Sequence, residues 1–174
     1  IEAFEEQLDR FIDMFELALA EQKMDEVVKR LEKMVEEQTA IVEELNQNEN
    51  LHMTALASRE RRQEESFRTL EKTMNEAASA MEKLSPNTAK KLSDLAESEL
   101  TESTSADLNE ARNNMQNQNQ SGASQSAKGA SGGLEEMLET AQDIQSDFQE
   151  DTVDEMLRKF LALIHNLMYI SQSQ

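Results

Sequence analysis

Residues 24–45 read MDEVVKRLEKMVEEQTAIVEEL, and their apolar members Met24, Val27, Val28, Leu31, Met34, Val35, Ile41 and Leu45 recur at helical spacing. Side chains three and four residues apart lie on one side of an α-helix, so the stretch carries one greasy stripe and predicts a helix over about 25–46. Upstream, Ile1, Phe4, Leu8, Phe11, Phe15 and Ala18 make a second stripe, flanked by Leu19, on a helix of about 1–21. The two stripes are out of phase: continuing the first by sevens puts Gln22 and Asp25 in the seam. A tight connection over residues 21–24 with Asp25 as N-cap accommodates the break, its carboxylate favoured by the helix dipole. This predicts two antiparallel helices; the alternative is one long helix with a phase slip.

Downstream, NQNEN at 46–50 marks a bend. A helix over 53–84 then carries Leu56, Phe67, Leu70, Met74, Ala77, Ala78, Met81 and Leu84, interrupted by the apolar-free SRERRQEES of 58–66, which is expected to be solvated or shielded by arginine stems. Pro86 ends that helix and suits the first turn of the next, and shorter helices follow over about 87–100 and 105–116. Residues 116–133, QNQNQSGASQSAKGASGG, hold all four glycines and read as a flexible linker between a helical region, 1–115, and a C-terminal part, 134–174. In the latter, Leu134, Met137, Leu138, Ala141, Ile144 and Phe148 define a helix over about 134–149. Thr152 and Glu155 match a capping box that starts another over about 153–171. From Met156 to Ile170 this last helix is apolar on most of its circumference, so it is expected either at the centre of the bundle or against a partner chain.

The fold class is therefore all-α: an elongated antiparallel bundle of coiled-coil-like helices joined by a polar Gly/Ser/Gln-rich linker. The seam residues expected to carry it are Phe11, Phe15, Leu31, Leu70, Met156, Phe160, Ile164 and Leu167. With 17 Lys and Arg against 36 Asp and Glu the net charge is −19, which repels phosphate backbones and anionic headgroups and argues against a nucleic-acid partner. Without Cys there is neither a disulfide framework nor a thiolate metal site. The longest apolar run, Phe160 to Ile170, is about eleven residues where a bilayer span needs about 20, so no insertion of this segment is expected. The start at Ile1 without an initiator Met reads as a piece of something longer.

Chemistry-bearing patterns are sparse. Glu49 and His52 have the Glu-x-x-His spacing of di-iron bundles, but His165 has Ala162 three residues before it, so the second half of such a site is missing and no cofactor is expected. Arg59, Arg61 and Arg62, set among Glu60, Glu64 and Glu65, read as ion pairs along one helix, or as a dock for an acidic partner. Leu31-x6-Gln38-x6-Leu45 and Leu56-x6-Gln63-x6-Leu70 each place Gln one heptad from two leucines, and Leu167-x6-Gln174 begins a third copy. A polar side chain in a helix seam weakens the seam but fixes register and partner choice.

The ending FLALIHNLMYISQSQ, through Leu167, Met168, Ile170, Ser171 and Gln174, resembles a recurrent phrase of a domain-of-unknown-function family of large bacterial envelope proteins. Leu56 to Glu64, LASRERRQE, resembles a second such phrase, and the Gln- and Asn-rich tract before Leu134 is similar to one the family carries ahead of its final helices. The resemblance implies a parent anchored by membrane helices, with a long helical region in the periplasm, and no known activity. The expected role is non-enzymatic: a structural or protein-interaction segment. The alternatives are a regulated module that releases its apolar C-terminal helix to a partner groove and, more remotely, a di-metal bundle enzyme.

Overall fold

The structure, a computed structural model, describes residues 2–47 and 52–172; the side chains of residues 2–4, 6, 7, 10, 155, 156, 159, 160 and 162–172 are not among those described. Five helices are present among the described residues: α1 (Glu2–Gln47), α2 (Met53–Met81), α3 (Pro86–Ala96), α4 (Glu99–Gln116) and α5 (Gln120–Gln172). No strand occurs among them.

Cross-links between the helices fix their directions. Lys83 reaches back to Glu16 (3.0 Å), Lys23 meets Glu76 (2.8 Å) and Arg59 meets Glu44 (2.7 Å), so α2 runs antiparallel to α1. Arg112 on α4 pairs with Glu64, which sets α3 and α4, end to end, antiparallel to α2. Ser124 bonds Asn46 (2.9 Å) and Lys91 on α3 bonds Asp147 (2.6 Å), while Asp107 and Thr104 on α4 lie against Gly129 and Gly133, so α5 returns beside α1 and beside the column of α3 and α4. The result is an up-down-up-down bundle of four columns, the third column broken between α3 and α4. Ser98 makes that break: its hydroxyl caps α4 by accepting from the Thr101 amide (3.2 Å) while donating to the Leu95 carbonyl (2.7 Å).

Each column buries residues that alternate by three and four. On α1 these are Ala20, Met24, Val27, Leu31, Met34, Gln38, Ile41 and Leu45; on α2, Met53, Leu56, Glu60, Gln63, Phe67, Leu70, Met74, Ala77 and Met81. On α4 they are Thr101, Thr104, Leu108, Ala111 and Met115, and on α5 they run unbroken from Ala123, Ala127 and Ala130 through Leu134, Met137, Ala141, Ile144 and Phe148 to Thr152. Such spacing keeps one stripe facing the neighbours over the full length of a helix.

Three sequence expectations are corrected here. Residues 21–24 form no hairpin: α1 is one continuous helix, and its apolar stripe slips phase without a break in the backbone. Residues 116–133 are not a flexible linker, because the turn is confined to residues 117–119 and α5 starts at Gln120. Small residues there allow close approach instead: a Cβ at Gly129 would collide with the Asp107 carboxylate, and one at Gly133 with the Thr104 side chain. Third, Thr152 opens no new helix. Its hydroxyl donates back to the Phe148 carbonyl (2.9 Å) rather than capping an amide, and α5 continues through it.

The turn has a defined chemistry. The Asn119 amide bonds the Asn114 carbonyl (2.9 Å) and the Gln118 amide bonds the Met115 carbonyl (3.1 Å), the paired bonds of a Schellman ending, with Gln118 at φ 58° where glycine is usual. Asn119 then caps α5 by accepting from the Gly122 amide (3.1 Å). Gln118→Gly is expected to raise stability by about 1 kcal/mol by relieving the left-handed conformation, measured as a shift in urea midpoint at constant slope. The glycines of α5 should split in sign. Gly132 has open space around a built Cβ, so Gly132→Ala should stabilise the helix by roughly 1 kcal/mol. Gly133→Ala should lower the melting temperature, because the stiff, β-branched Thr104 cannot swing aside.

Candidate functional site: a buried polar layer and two outward stripes

At mid-bundle the seam turns polar. Gln38 on α1 and Glu60 and Gln63 on α2 are buried, Gln38 and Glu60 with no exposed surface. The Gln38 amide nitrogen donates to Glu60 Oε1 (3.0 Å), the Gln63 amide donates to the Gln38 Oε1 (3.2 Å), and the same Gln63 nitrogen donates to the Met34 carbonyl (2.8 Å). Among the described residues, no buried side-chain nitrogen or oxygen is left without a partner. The layer divides the interior into two apolar clusters. One contains Leu31, Met34, Phe67, Leu70 and Leu134; the other contains Ile41, Leu45, Leu56, Met115 and Ala127.

Burial pushes the Glu60 carboxyl up to about 8, with the negative charge of Glu64 adding to the effect while the Gln38 amide and Arg59 oppose it. At neutral pH the layer is thus mainly three uncharged groups, and the desolvation penalty of a buried anion is largely avoided. Residues 58–66, expected to be solvated, are so only in part: Glu60 and Gln63 complete the seam between Leu56 and Phe67. Arg59 departs from the expected pairing along its own helix and crosses to Glu37 (2.8 Å) and Glu44 on α1. Only Arg61 makes the expected one-turn pair, with Glu65 at 3.8 Å. Gln174 and Glu49 lie outside the described residues, and His52 stands exposed ahead of α2.

The second feature lies at the end of the bundle where α2 meets α3. There Asp151 of α5 accepts hydrogen bonds from Ser85 and from Thr88 (2.9 Å), which hold its carboxyl below the usual range with help from nearby Lys91. Beyond this clasp, and beyond the Glu16–Lys83 pair, α1 and α5 run on past the ends of their neighbours, over residues 2–15 and 152–172. At about 1.5 Å per residue these projections measure roughly 20 and 30 Å.

The large apolar side chains described there are exposed. Phe11 and Phe15, expected in the buried seam, are 72% and 66% exposed. Helical phase gives the reason. Carried back from Ala20, the core spacing reaches Leu17 and Asp13; Phe11 and Phe15 stand two residues away from Asp13, which at about 100° per residue is nearly the opposite side of the helix. Leu8, Ile12 and Leu19 share that outer side and are also exposed. On α5 the core spacing passes through Thr152, whereas Val153, Leu157 and Leu161 form an i, i+4, i+8 row that is exposed, Leu157 by 52% and Leu161 by 59%. The last helical stretch is therefore not the centre of the bundle, because no α2, α3 or α4 accompanies it. Leu31 and Leu70 are fully buried, while the side chains of Met156, Phe160, Ile164 and Leu167 are outside those described.

Among the described residues, no three His, Asp or Glu side chains group as they would to hold a metal ion, and no helix is long and apolar enough to cross a membrane. An open groove between α3 and α5 is lined by Lys91, Asp94, Leu95, Asp143 and Asp147, its lysine already paired with Asp147. No protein family, curated protein or solved structure matches the chain.

The raised Glu60 value fixes a sign for the pH dependence. Between about 4.5 and 8 the folded chain holds one more proton at this site than the unfolded chain. This contribution is complete at the acid end and is lost as pH climbs through the folded value, with a slope of up to about 1.4 kcal/mol per pH unit. Denaturant titrations from pH 5 to 8.5 should show stability falling in the wild type, and Glu60→Gln should remove that part of the slope and melt higher than wild type at pH 8.5.

Proposed function

We propose that the chain is a non-enzymatic helical interaction segment: a bundle that serves as a rigid base and presents the apolar outer faces of α1 and α5 at one end. The observation that carries this reading is the phase slip. In α1 the helix is unbroken while its apolar stripe moves to the side away from the core, so Leu8, Phe11 and Phe15 stay largely exposed and lie outside the buried core. Large side chains kept exposed in a row at helical spacing suit the groove or helix of a protein partner. Large apolar side chains scattered singly over a surface would need no such account; rows of them at helical spacing on two helices do.

The parent context we propose is a membrane-anchored bacterial envelope protein with this segment on the periplasmic side, as the resemblance of the 56–64 and 160–174 phrases implies. In that setting the bundle acts as a spacer or docking platform. The release mechanism, in which the C-terminal helix leaves the bundle through a flexible linker, is not favoured, because α5 is continuous from Gln120 and clasped at Asp151.

The reading is tested by separating folding from surface. Phe11→Ser, Phe15→Ser and Leu157→Ser together should leave helicity and the melting temperature, measured at 1 µM chain, within about 2 °C of wild type, since exposed positions away from caps and networks contribute within about 0.5 kcal/mol each. The same triple variant should lose most of the fluorescence enhancement of an apolar dye such as anilinonaphthalene sulfonate. A large drop in melting temperature would mean that these side chains are core residues, and the interaction reading would fall.

A further inference from the structure

The projecting ends also carry the features of a self-complementary surface, and this inference rests on reading them as an interaction surface. We propose that the ends of α1 and α5 pair with the same ends of a second copy of this chain, antiparallel, giving a two-fold dimer in which four helices share one apolar interior and the two bundles lie at opposite extremes.

Two observations favour a second copy over other occupants, and a third favours this arrangement of it. The first is area. Eight large apolar side chains of the projections, among them Leu8, Phe11, Phe15, Leu157 and Leu161, are exposed by 46% to 72%. At on the order of 100 Å² each they offer about 800 Å², the area per partner that a stable interface buries.

The second is geometry. Each copy contributes one helix of each direction from the same end of its bundle. Two such antiparallel pairs related by a two-fold axis form a closed, isologous contact in which every stripe finds a stripe and nothing is left to propagate into fibres. A single foreign helix would cover one side of one pair.

The third is charge. Residues 16–151 hold 29 acidic and 14 basic side chains, a net of −15, whereas the two projections together hold 7 acidic and 3 basic, a net of −4. Side-by-side association would bring the acidic bundles together. End-to-end overlap keeps them tens of ångströms apart, several Debye lengths at physiological salt.

The absence of cysteine in the chain makes the test direct. Sedimentation equilibrium of the full chain from 1 to 200 µM at 150 mM salt should show twice the monomer mass at the upper end. Phe11→Glu with Phe15→Glu, and separately Leu157→Glu with Leu161→Glu, should each raise the dissociation constant at least 100-fold while leaving helicity intact. Spin labels on Ala18→Cys should give an inter-chain distance of about 30 Å, and labels on Asn117→Cys, at the far end of the bundle, should lie about 110 Å apart and give no dipolar signal. Monomer mass at 200 µM, a dimer indifferent to both charge pairs, or a dipolar signal from Asn117 would each overturn the proposal. Monomer mass together with strong dye binding that depends on Phe11 and Phe15 would overturn the second copy alone and leave the interaction reading standing. Loss of helicity in both charge pairs at 1 µM would overturn both, because the stripes would then belong to the fold.

Discussion

The bundle depends on how closely α5 can approach α4. The first half of α5 offers Ala123, Ala127 and Ala130 to the interior and glycine to its flank, and side chains this small bury enough surface only if the backbones come near. Gly133 against Thr104 and Gly129 against Asp107 permit that approach: a methyl group at the first would meet the stiff Thr104 side chain, and one at the second would displace the Asp107 carboxylate. In water, where a glycine in mid-helix loses about 1 kcal/mol relative to alanine, such a segment does not hold a helix alone. Its order is a tertiary effect, borrowed from α1 and α4.

Small residues on one column leave room on another. Where α5 presents Ala127 and Ala130, α1 and α2 bring in Gln38, Gln63 and Glu60, and the space that larger apolar groups would fill holds a hydrogen-bonded layer. Replacing such a layer by leucine often leaves a bundle as stable or more so, but a shift of α1 against α2 by one heptad would break each of its bonds at once. In a bundle whose apolar positions are mostly interchangeable Leu, Met and Ala, this is the element that singles out one register. Arg59 reinforces it from the rim by spanning Glu37 and Glu44, one heptad apart on α1.

The helices themselves were legible because the three-four rhythm needs no tertiary information. The seams of α1 and α2, including Gln38 and Gln63, follow from counting. What misled was composition. The tract at 116–133 looks like a linker, yet Ala123, Ala127 and Ala130 continue backwards the phase set by Leu134 and Met137, a signal that averaging over residue types conceals. Glu60 was hidden in the same way: its charge reads as surface, while its place four residues after Leu56 and three before Gln63 puts it in the seam. Its near-neutral state is a property of burial, which no local pattern announces. The end of α1 was misread for a different reason. A change of phase is compatible with a turn or with a stripe that changes sides, and only the packing of α2, which stops level with Glu16, decides between them.

That decision links the fold to its use. Within the bundle a stripe must face three neighbours, so its phase is fixed by the columns beside it. Where α2 and α3 end, the constraint lapses, and α1 and α5 are free to aim their apolar faces elsewhere without loss to the core. The clasp of Asp151 by Ser85 and Thr88 lies at that boundary and anchors α5 where its support ends. Because Leu31 serves one side of the boundary and Phe11 and Phe15 the other, the proposed reading assigns stability and recognition to different residues of one helix. On that reading, a substitution in the projecting stripes acts on partners and leaves the bundle alone, whereas one in the seam removes the base from which both stripes project.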